Sequence, residues 1–319
     1  MQAAAAELAL SETCFVVPTG ASIFSLRWFT PSREVSLCGH GTLAAAHAVW
    51  SSGVAPLSSE LTFSTLSGDL RVRPRLLSSA ATFSSGRDVL AAPAASTSTH
   101  TPAPDCDTLA TLSLPAHAPL SSLPPTSTLS SLYSALGLSA NDVLDTAFDS
   151  ATGKLIIEVA DCARILSLAP TSSTLLAVNQ QDTPPHTRVS GVSVTCLGAA
   201  HASTRTDDGD TVEQRTTISH VQHAAPSLPV QFSFHSRYFS PWNGLPYAGG
   251  EDPANGSSHT VLYPYWARKL GLEFCEAEAI VESRQGGRLW VNYTDATKLC
   301  VDITGGATTV CAGEFRLRT

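Results

Sequence analysis

Charge is scarce in this chain. Lys, Arg, Asp and Glu together make up 14% of the residues, the formal net charge is −8, and Lys and Arg nowhere cluster. Nucleic-acid phosphates are held by concentrated cationic side chains, so nucleic acid is excluded as a partner. Long apolar runs are missing as well. Nothing approaches the roughly 20 consecutive apolar residues that span a bilayer. The alanine-rich start, which carries Glu7, lacks the basic segment that opens a secretory signal. No membrane partner is expected, and a cytoplasmic location is. The eight cysteines, at positions 14, 38, 106, 162, 196, 275, 300 and 311, show neither CxxC nor Cys–His spacing. That removes the usual metal motifs and reads as a set of buried, reduced thiols. No GxGxxG follows a strand-like run, so nicotinamide and flavin have no fingerprint. No metal and no cofactor are expected.

The chain does have apolar residues, 43% of its 319, enough for one large domain or two ordinary lobes. Short β-branched runs at 15–17, 156–159, 192–194 and 289–291 read as strands. Segments 42–50 and 260–270 read as helices buried on most sides. Residues 76–105, 181–188 and 201–227 are rich in Ala, Ser, Thr and Pro or otherwise polar and read as insertions with too little apolar surface to offset their ordering. Many strands with few long helices point to an α+β fold.

The sequence also repeats itself. Arg27-Trp28-Phe29-Thr30-Pro31 precedes Leu37-Cys38-Gly39-His40-Gly41-Thr42 and an apolar helix ending at Trp50. Arg237-Tyr238-Phe239-Ser240-Pro241 precedes Ala254-Asn255-Gly256-Ser257-Ser258-His259 and an apolar helix containing Trp266. A glycine-containing loop running into a helix offers free backbone N–H groups at a positive dipole end, a ready anion site. Two such ends facing each other across a cleft would grip a carboxylate and stabilise an enolate-like charge. The plainer reading makes Thr42 and Ser257 or Ser258 ordinary N-caps. It makes Glu12 a solvated strand-end glutamate, His40 a core histidine and Asp252 a turn residue before Pro253.

Three pieces decide between these readings: Leu10-Ser11-Glu12-Thr13-Cys14-Phe15; Phe29-Thr30-Pro31 with Glu34-Val35-Ser36-Leu37-Cys38-Gly39-His40-Gly41-Thr42; and Glu251-Asp252-Pro253-Ala254-Asn255-Gly256-Ser257. With Gln285-Gly286-Gly287 and Val301-Asp302-Ile303-Thr304-Gly305, they resemble the phenazine-biosynthesis-like (PhzF-like) isomerase family. The resemblance implies a diaminopimelate-epimerase-like α+β fold of two pseudo-symmetric lobes, each a curved, mostly antiparallel sheet wrapped around a central helix. The lobes are expected at 1–118 and 119–290, with a tail, 291–319, returning to the first. It also implies a strand and a turn ahead of Met1, so that the first lobe as given has an open sheet edge and its activity is in doubt. By position, Glu12 matches the family's acid/base, with His40, Asp252 and Ser257 around it. Substrate contacts are expected from Gly39, Gly41, Thr42, Asn255, Gly256, Ser258, Gly286 and Gly287. A carboxyl desolvated in an apolar pocket has its pKa raised toward neutrality, which suits a base that moves a proton between carbons. The expected function is therefore a cofactor-independent isomerase acting on a small carboxylate, in a family that is often dimeric and biosynthetic. The alternatives are a non-catalytic binding or regulatory protein on the same fold, or an amino-acid racemase or epimerase. Asn255 opposes the last, because it stands where a two-thiol mechanism needs the partner of Cys38.

Overall fold

A computed structural model of the chain describes residues 1–75, 109–119, 123–178, 183–198, 230–245, 247–273, 275–284 and 286–314. The expected insertions 76–105 and 201–227 lie outside these residues, as do 181–182, Cys106 and Gln285. In chain order the elements are α1 (Gln2–Leu8), β1 (Thr13–Gly20), β2 (Ile23–Phe29), β3 (Glu34–Val35), α2 (Gly39–Ser51), β4 (Leu61–Thr65), β5 (Gly68–Arg75) and β6 (Leu109–Pro115). There follow α3 (Thr126–Leu136), β7 (Val143–Asp149), β8 (Lys154–Val159), α4 (Cys162–Ser167), α5 (Ser172–Leu176), β9 (Gly191–Leu197), β10 (Val230–Phe239) and β11 (Glu251–Asp252). The last elements are α6 (His259–Leu270), β12 (Glu276–Val281), β13 (Gly287–Tyr293) and β14 (Cys300–Gly306).

One sheet runs β1-β2-β4-β5-β6-β14-β13-β12-β10-β9-β8-β7, with β3 on β2 and β11 on β10. The α+β architecture expected from the sequence is what the chain adopts. The sheet has an internal two-fold. β2 pairs β1 antiparallel and β4 parallel, just as β10 pairs β9 antiparallel and β12 parallel. The two halves meet where β6 and β14 pair antiparallel. The side chains repeat with the strands. Arg27 grips Glu34 and lies 5.1 Å over the Phe29 ring, while Arg237 grips Glu251 and lies 5.0 Å over Phe239. Beyond β9 the second half continues into β8 and β7; among the described residues β1 pairs only β2.

The two apolar helices lie against this sheet. Burying α2 and α6 joins Leu43, Ala46 and Trp50 to Val261, Tyr263 and Trp266 in one core. The motif glycine Gly305 makes room for it, because a Cβ there would stand 2.7 Å from Leu289 and 3.3 Å from Leu43. Its neighbour Asp302 is buried and bound by Arg73, Ser113 and Thr294, so it ties β14 to β5 and β6. Pro264 sits inside α6 and has no N–H to give Thr260 four residues back. The freed Thr260 carbonyl instead accepts the His117 N–H at 2.9 Å. On the other face of β8 and β9, Leu155, Ile157, Val192 and Val194 pack against α3, α4 and α5 in a second core. Both faces are covered, which explains why β8 is buried at every residue.

Three expectations are corrected. Cys162 and Cys196 form a disulfide, with Cα atoms 5.5 Å apart, so the thiols are not all reduced. The register of β9 carries Cys196 back beside the start of α4, and the argument for a reducing compartment loses its ground. What stands is that no helix among the described residues is long and apolar enough to cross a membrane. The described part of 181–188 packs rather than loops freely. Thr183 and Thr187 are buried, and the Arg188 guanidinium donates to the Thr183 carbonyl. Thr42 is not a cap: α2 begins three residues earlier, and Thr42 donates from its first turn to the Cys38 carbonyl at 2.6 Å.

Candidate active site

The two loop–helix junctions predicted from the repeat meet at their glycines. A Cβ on Gly39 would lie 3.1 Å from the Gly256 Cα, and one on Gly256 would lie 3.3 Å from the Gly39 Cα. Only glycine at both positions allows the backbones this close. The junctions are built alike. Cys38 caps the first, its sulfur accepting from Gly41 N–H, and Asn255 caps the second, its side chain accepting from Ser258 N–H. The capping leaves the N–H groups of Gly39, His40, Gly256 and Ser257 at the helix starts, where helix geometry supplies no acceptor.

These loops form the floor of a cleft of about 440 Å³. Glu12, His40, Asp252 and Ser257 all line it, with Gly39, Asn255 and Gly256. Glu12 comes from the residue before β1, which β2 holds in register through Thr13 and Phe29. Its Oε2 stands 3.0 Å from His40 Nε2, outside hydrogen-bond alignment, and is buried without a hydrogen-bond partner among the described residues. Ser11 Oγ lies 3.3 Å from the same nitrogen. On the far side of the ring, Nδ1 faces Asp252 Oδ1 at 3.5 Å. Asp252 is fixed in turn by the N–H groups of Ala254 and Asn255 and by the Asn255 side-chain amide. His40 is thus flanked by a carboxylate from each half. Burial alone would strip its proton, but the Cys38 sulfur, Asp252 and the nearby Glu12 carboxyl outweigh that and hold its pKa well above the imidazole range. Burial pushes the Cys38 thiol up to about 11. The apolar pocket expected around Glu12 is in fact this polar group.

The other expected contacts fall outside the cleft. Gly41 is packed where a Cβ would sit 2.9 Å from both Cys14 and Cys38 sulfurs, and Thr42 and Ser258 are buried in the first helical turns. Gly286, at φ 67°, makes the turn between β12 and β13, and Gly287 begins β13. Conversely, Tyr238, Arg33 and Asn243, which also line the cleft, were not among the expected site residues. Arg33 donates to Asn243 Oδ1 at 2.8 Å across the two halves, 210 residues apart. Each is the second residue after its Thr/Ser-Pro pair, a symmetry signal that was available. Nor did spacing foreshadow that Glu12, Cys38 and His40 bring three metal-ligand atoms within 4.8 Å of one another.

The symmetry also explains why no second glutamate stands opposite Glu12 in the other half. β9 pairs Val192 with Phe239 as β1 pairs Thr13 with Phe29, so Gly191 takes the place of Glu12 in the second half. A Cβ at Gly191 would stand 1.8 Å from the Tyr238 hydroxyl.

His259, in the first turn of α6, gives the site a measurable acid sensitivity. Its Nδ1 donates to the Asn255 carbonyl at 2.9 Å, while Nε2 is buried with no partner among the described residues. Burial lowers its pKa to about 4. Below pH 6.5 the unfolded chain therefore binds a proton the folded one refuses, and stability falls until the pH passes about 4. The expected loss is about 3 kcal/mol. Denaturant titrations of wild type and His259→Gln between pH 7 and pH 4 should show a smaller decline in the variant; parallel declines would remove His259 from the account.

The profile of the phenazine biosynthesis-like protein family (PhzC-PhzF) matches residues 1–313. The chain belongs to that family. It is 31% identical to a human phenazine biosynthesis-like domain-containing protein over 98% of this chain and 87% of that relative. It is 30% identical to an uncharacterized isomerase of Pseudomonas aeruginosa over 99% of this chain and 87% of that one. Among solved structures it resembles a phenazine biosynthesis protein of the PhzF family from Enterococcus faecalis, with TM-score 0.63 and 25% identity over 99% of this chain and 86% of that chain. The chain thus resembles a PhzF-family protein in fold and, in sequence, relatives that include one named an uncharacterized isomerase.

Proposed function

We propose that the chain is a cofactor-independent isomerase that moves a proton within a small carboxylate-bearing molecule, with Glu12 as the acid/base. The observation that carries this reading is the buried Glu12 oxygen beside the His40 ring in a cleft floored by two opposed helix starts. The N–H groups of Gly39, His40, Gly256 and Ser257 would hold the substrate carboxylate and the charge that develops as a C–H proton leaves. Glu12 takes that proton, exchanges it with solvent in the open cleft, and delivers a proton to a second carbon. His40, held charged between Glu12 and Asp252, stabilises the anion formed in between. Ser257 and Asp252 position substrate and ring. The isomerase named among the relatives agrees with this chemistry, and dimerisation, common in the family, is part of the same proposal.

Two thiols are not needed. Asn255 stands at the position symmetric to Cys38, and burial keeps Cys38 protonated. Cys38→Ser should therefore retain most of the turnover, serine keeping the cap with a smaller acceptor. A dead Cys38→Ser beside an active Glu12→Gln would transfer the role to the thiol. A thermal-shift screen of small cyclic carboxylates supplies the ligand for these assays: at 100 times Kd, binding stabilises the folded state by about 2.7 kcal/mol.

A further inference from the structure

Two pairs of equivalent residues from the two halves touch in this cleft. Gly39 and Gly256 follow the symmetric caps Cys38 and Asn255, and their backbones meet in its floor. Arg33 and Asn243 follow the symmetric Thr30-Pro31 and Ser240-Pro241, and the Arg33 guanidinium donates to Asn243 Oδ1 at 2.8 Å. Residues related by a two-fold meet only where the axis passes between them, so the floor and the Arg33–Asn243 pair stand on one line through the cleft. Gly39 and Gly256 are buried and Arg33 is exposed, which makes the pair the outer end of that line. The pair is held from both sides. Asn243 Nδ2 donates to Ser240 Oγ at 2.6 Å, and that hydroxyl donates to the Ser190 carbonyl, which leaves Oδ1 to face Arg33. Thr30 Oγ1 accepts the Arg33 N–H at 3.1 Å and fixes its turn. What Arg33 lacks is a counter-charge. Its neighbour Glu34 is taken through both oxygens by Arg27, Glu12 and Asp252 face His40, and no carboxylate pairs with Arg33 among the described residues. Asn243 occupies one N–H of a guanidinium that carries five donors in a planar fork, so an edge remains for an anion.

We propose that Arg33 sets specificity by binding a second carboxylate, so that the substrate of this cleft is a small dicarboxylate lying along the line between the halves. One carboxylate rests on the N–H groups of Gly39, His40, Gly256 and Ser257, as in the isomerase reading on which this inference builds. The other takes the free edge of the Arg33 guanidinium in a bidentate pair. The carbon skeleton between them crosses the cleft that Glu12 and His40 line, against the apolar Leu37, Leu66 and Leu245. The cleft volume of about 440 Å³ falls in the range of ligand pockets, about 300–1,000 Å³, and leaves room for both anionic ends. Asn243 holds the guanidinium without neutralising it, which a carboxylate at that position would do.

Calorimetry on the full chain compares succinate, glutarate and adipate, each with its monomethyl ester, which keeps the length and one carboxylate. At least one diacid should bind the wild type on the order of 10–100-fold more tightly than its ester, the range of a hydrogen bond to a charged group. The ratio should fall as salt is raised, because Arg33 is exposed. Arg33→Gln should bring the ratio to about one, chiefly by weakening the diacid, and Arg33→Lys should keep part of it, having the charge without the fork. Asn243→Asp tests the same point with Arg33 in place: the new carboxylate occupies the guanidinium, and the ratio should drop there too. A wild type that binds diacid and ester equally, or binds no diacid, overturns the proposal. So does a ratio that persists in Arg33→Gln and Asn243→Asp variants shown to be folded by circular dichroism. The measurement needs no turnover. A diacid preference that depends on Arg33, in a protein that isomerises no carboxylate, leaves the second anchor standing and counts against the isomerase reading.

Discussion

Replacing Glu12 with glutamine should reduce kcat by about 10²–10⁴-fold, the range supplied by a positioned general acid–base, while ligand affinity changes little. Glutamine keeps the size of the side chain and an oxygen beside His40 Nε2, but at neutral pH it takes up no proton. The fold provides no substitute. The symmetric position in the second half is Gly191, closed by the Tyr238 hydroxyl, and Asp252 is occupied by two backbone N–H groups and an amide. Steady-state kinetics with a ligand from the carboxylate screen, together with Kd by calorimetry, separate the two effects. A variant that loses binding and turnover in equal measure would make Glu12 a substrate contact and not the proton carrier.

The largest stability effect should come from Trp266→Ala. Trp266 is 1% exposed at the centre of α6, stacked 6.4 Å from Phe234 and edge-on to Tyr265 at 5.2 Å. Its Nε1 donates to Thr195 Oγ1 at 3.1 Å, which ties the helix to β9. Emptying this volume in a core closed by β9, β10 and β12 should cost about 3–5 kcal/mol. Urea denaturation should show a lower midpoint with little change in slope, the mark of lost stability without a change of denatured state. A loss below about 1 kcal/mol would mean that α6 does not hold the second half together.

The residues that made the fold legible in sequence were those whose pattern is local. The β-branched runs became β1, β8, β9 and β13, and the apolar runs became α2 and α6, because strand and helix periodicities are written in neighbouring residues. The repeat was legible because the aromatic strand, the Pro turn and the glycine loop recur in order. What remained hidden depends on register across long separations. Arg27–Glu34 and Arg237–Glu251 are the same interaction, but 7 residues separate the first pair and 14 the second, so the longer second turn masks the match. Cys162 and Cys196 are 34 residues apart with no motif between them. Gly286 and Gly287 matched a family motif, yet Gly286 serves a turn whose positive φ asks for glycine and Gly287 opens β13. The polar company of Glu12 was illegible for the same reason: the sequence shows the apolar residues that follow it, while the fold supplies His40 and Asp252 from 28 and 240 positions away.

The central claim is that one carboxylate, Glu12, carries the proton. The most direct measurement follows deuterium incorporation from D₂O into the substrate carbon by mass spectrometry, in wild type, Glu12→Gln and Cys38→Ser side by side. The account predicts deuterium at the product carbon with wild type and with Cys38→Ser, and none above the uncatalysed level with Glu12→Gln. Deuterium entering at an undiminished rate with Glu12→Gln would contradict it.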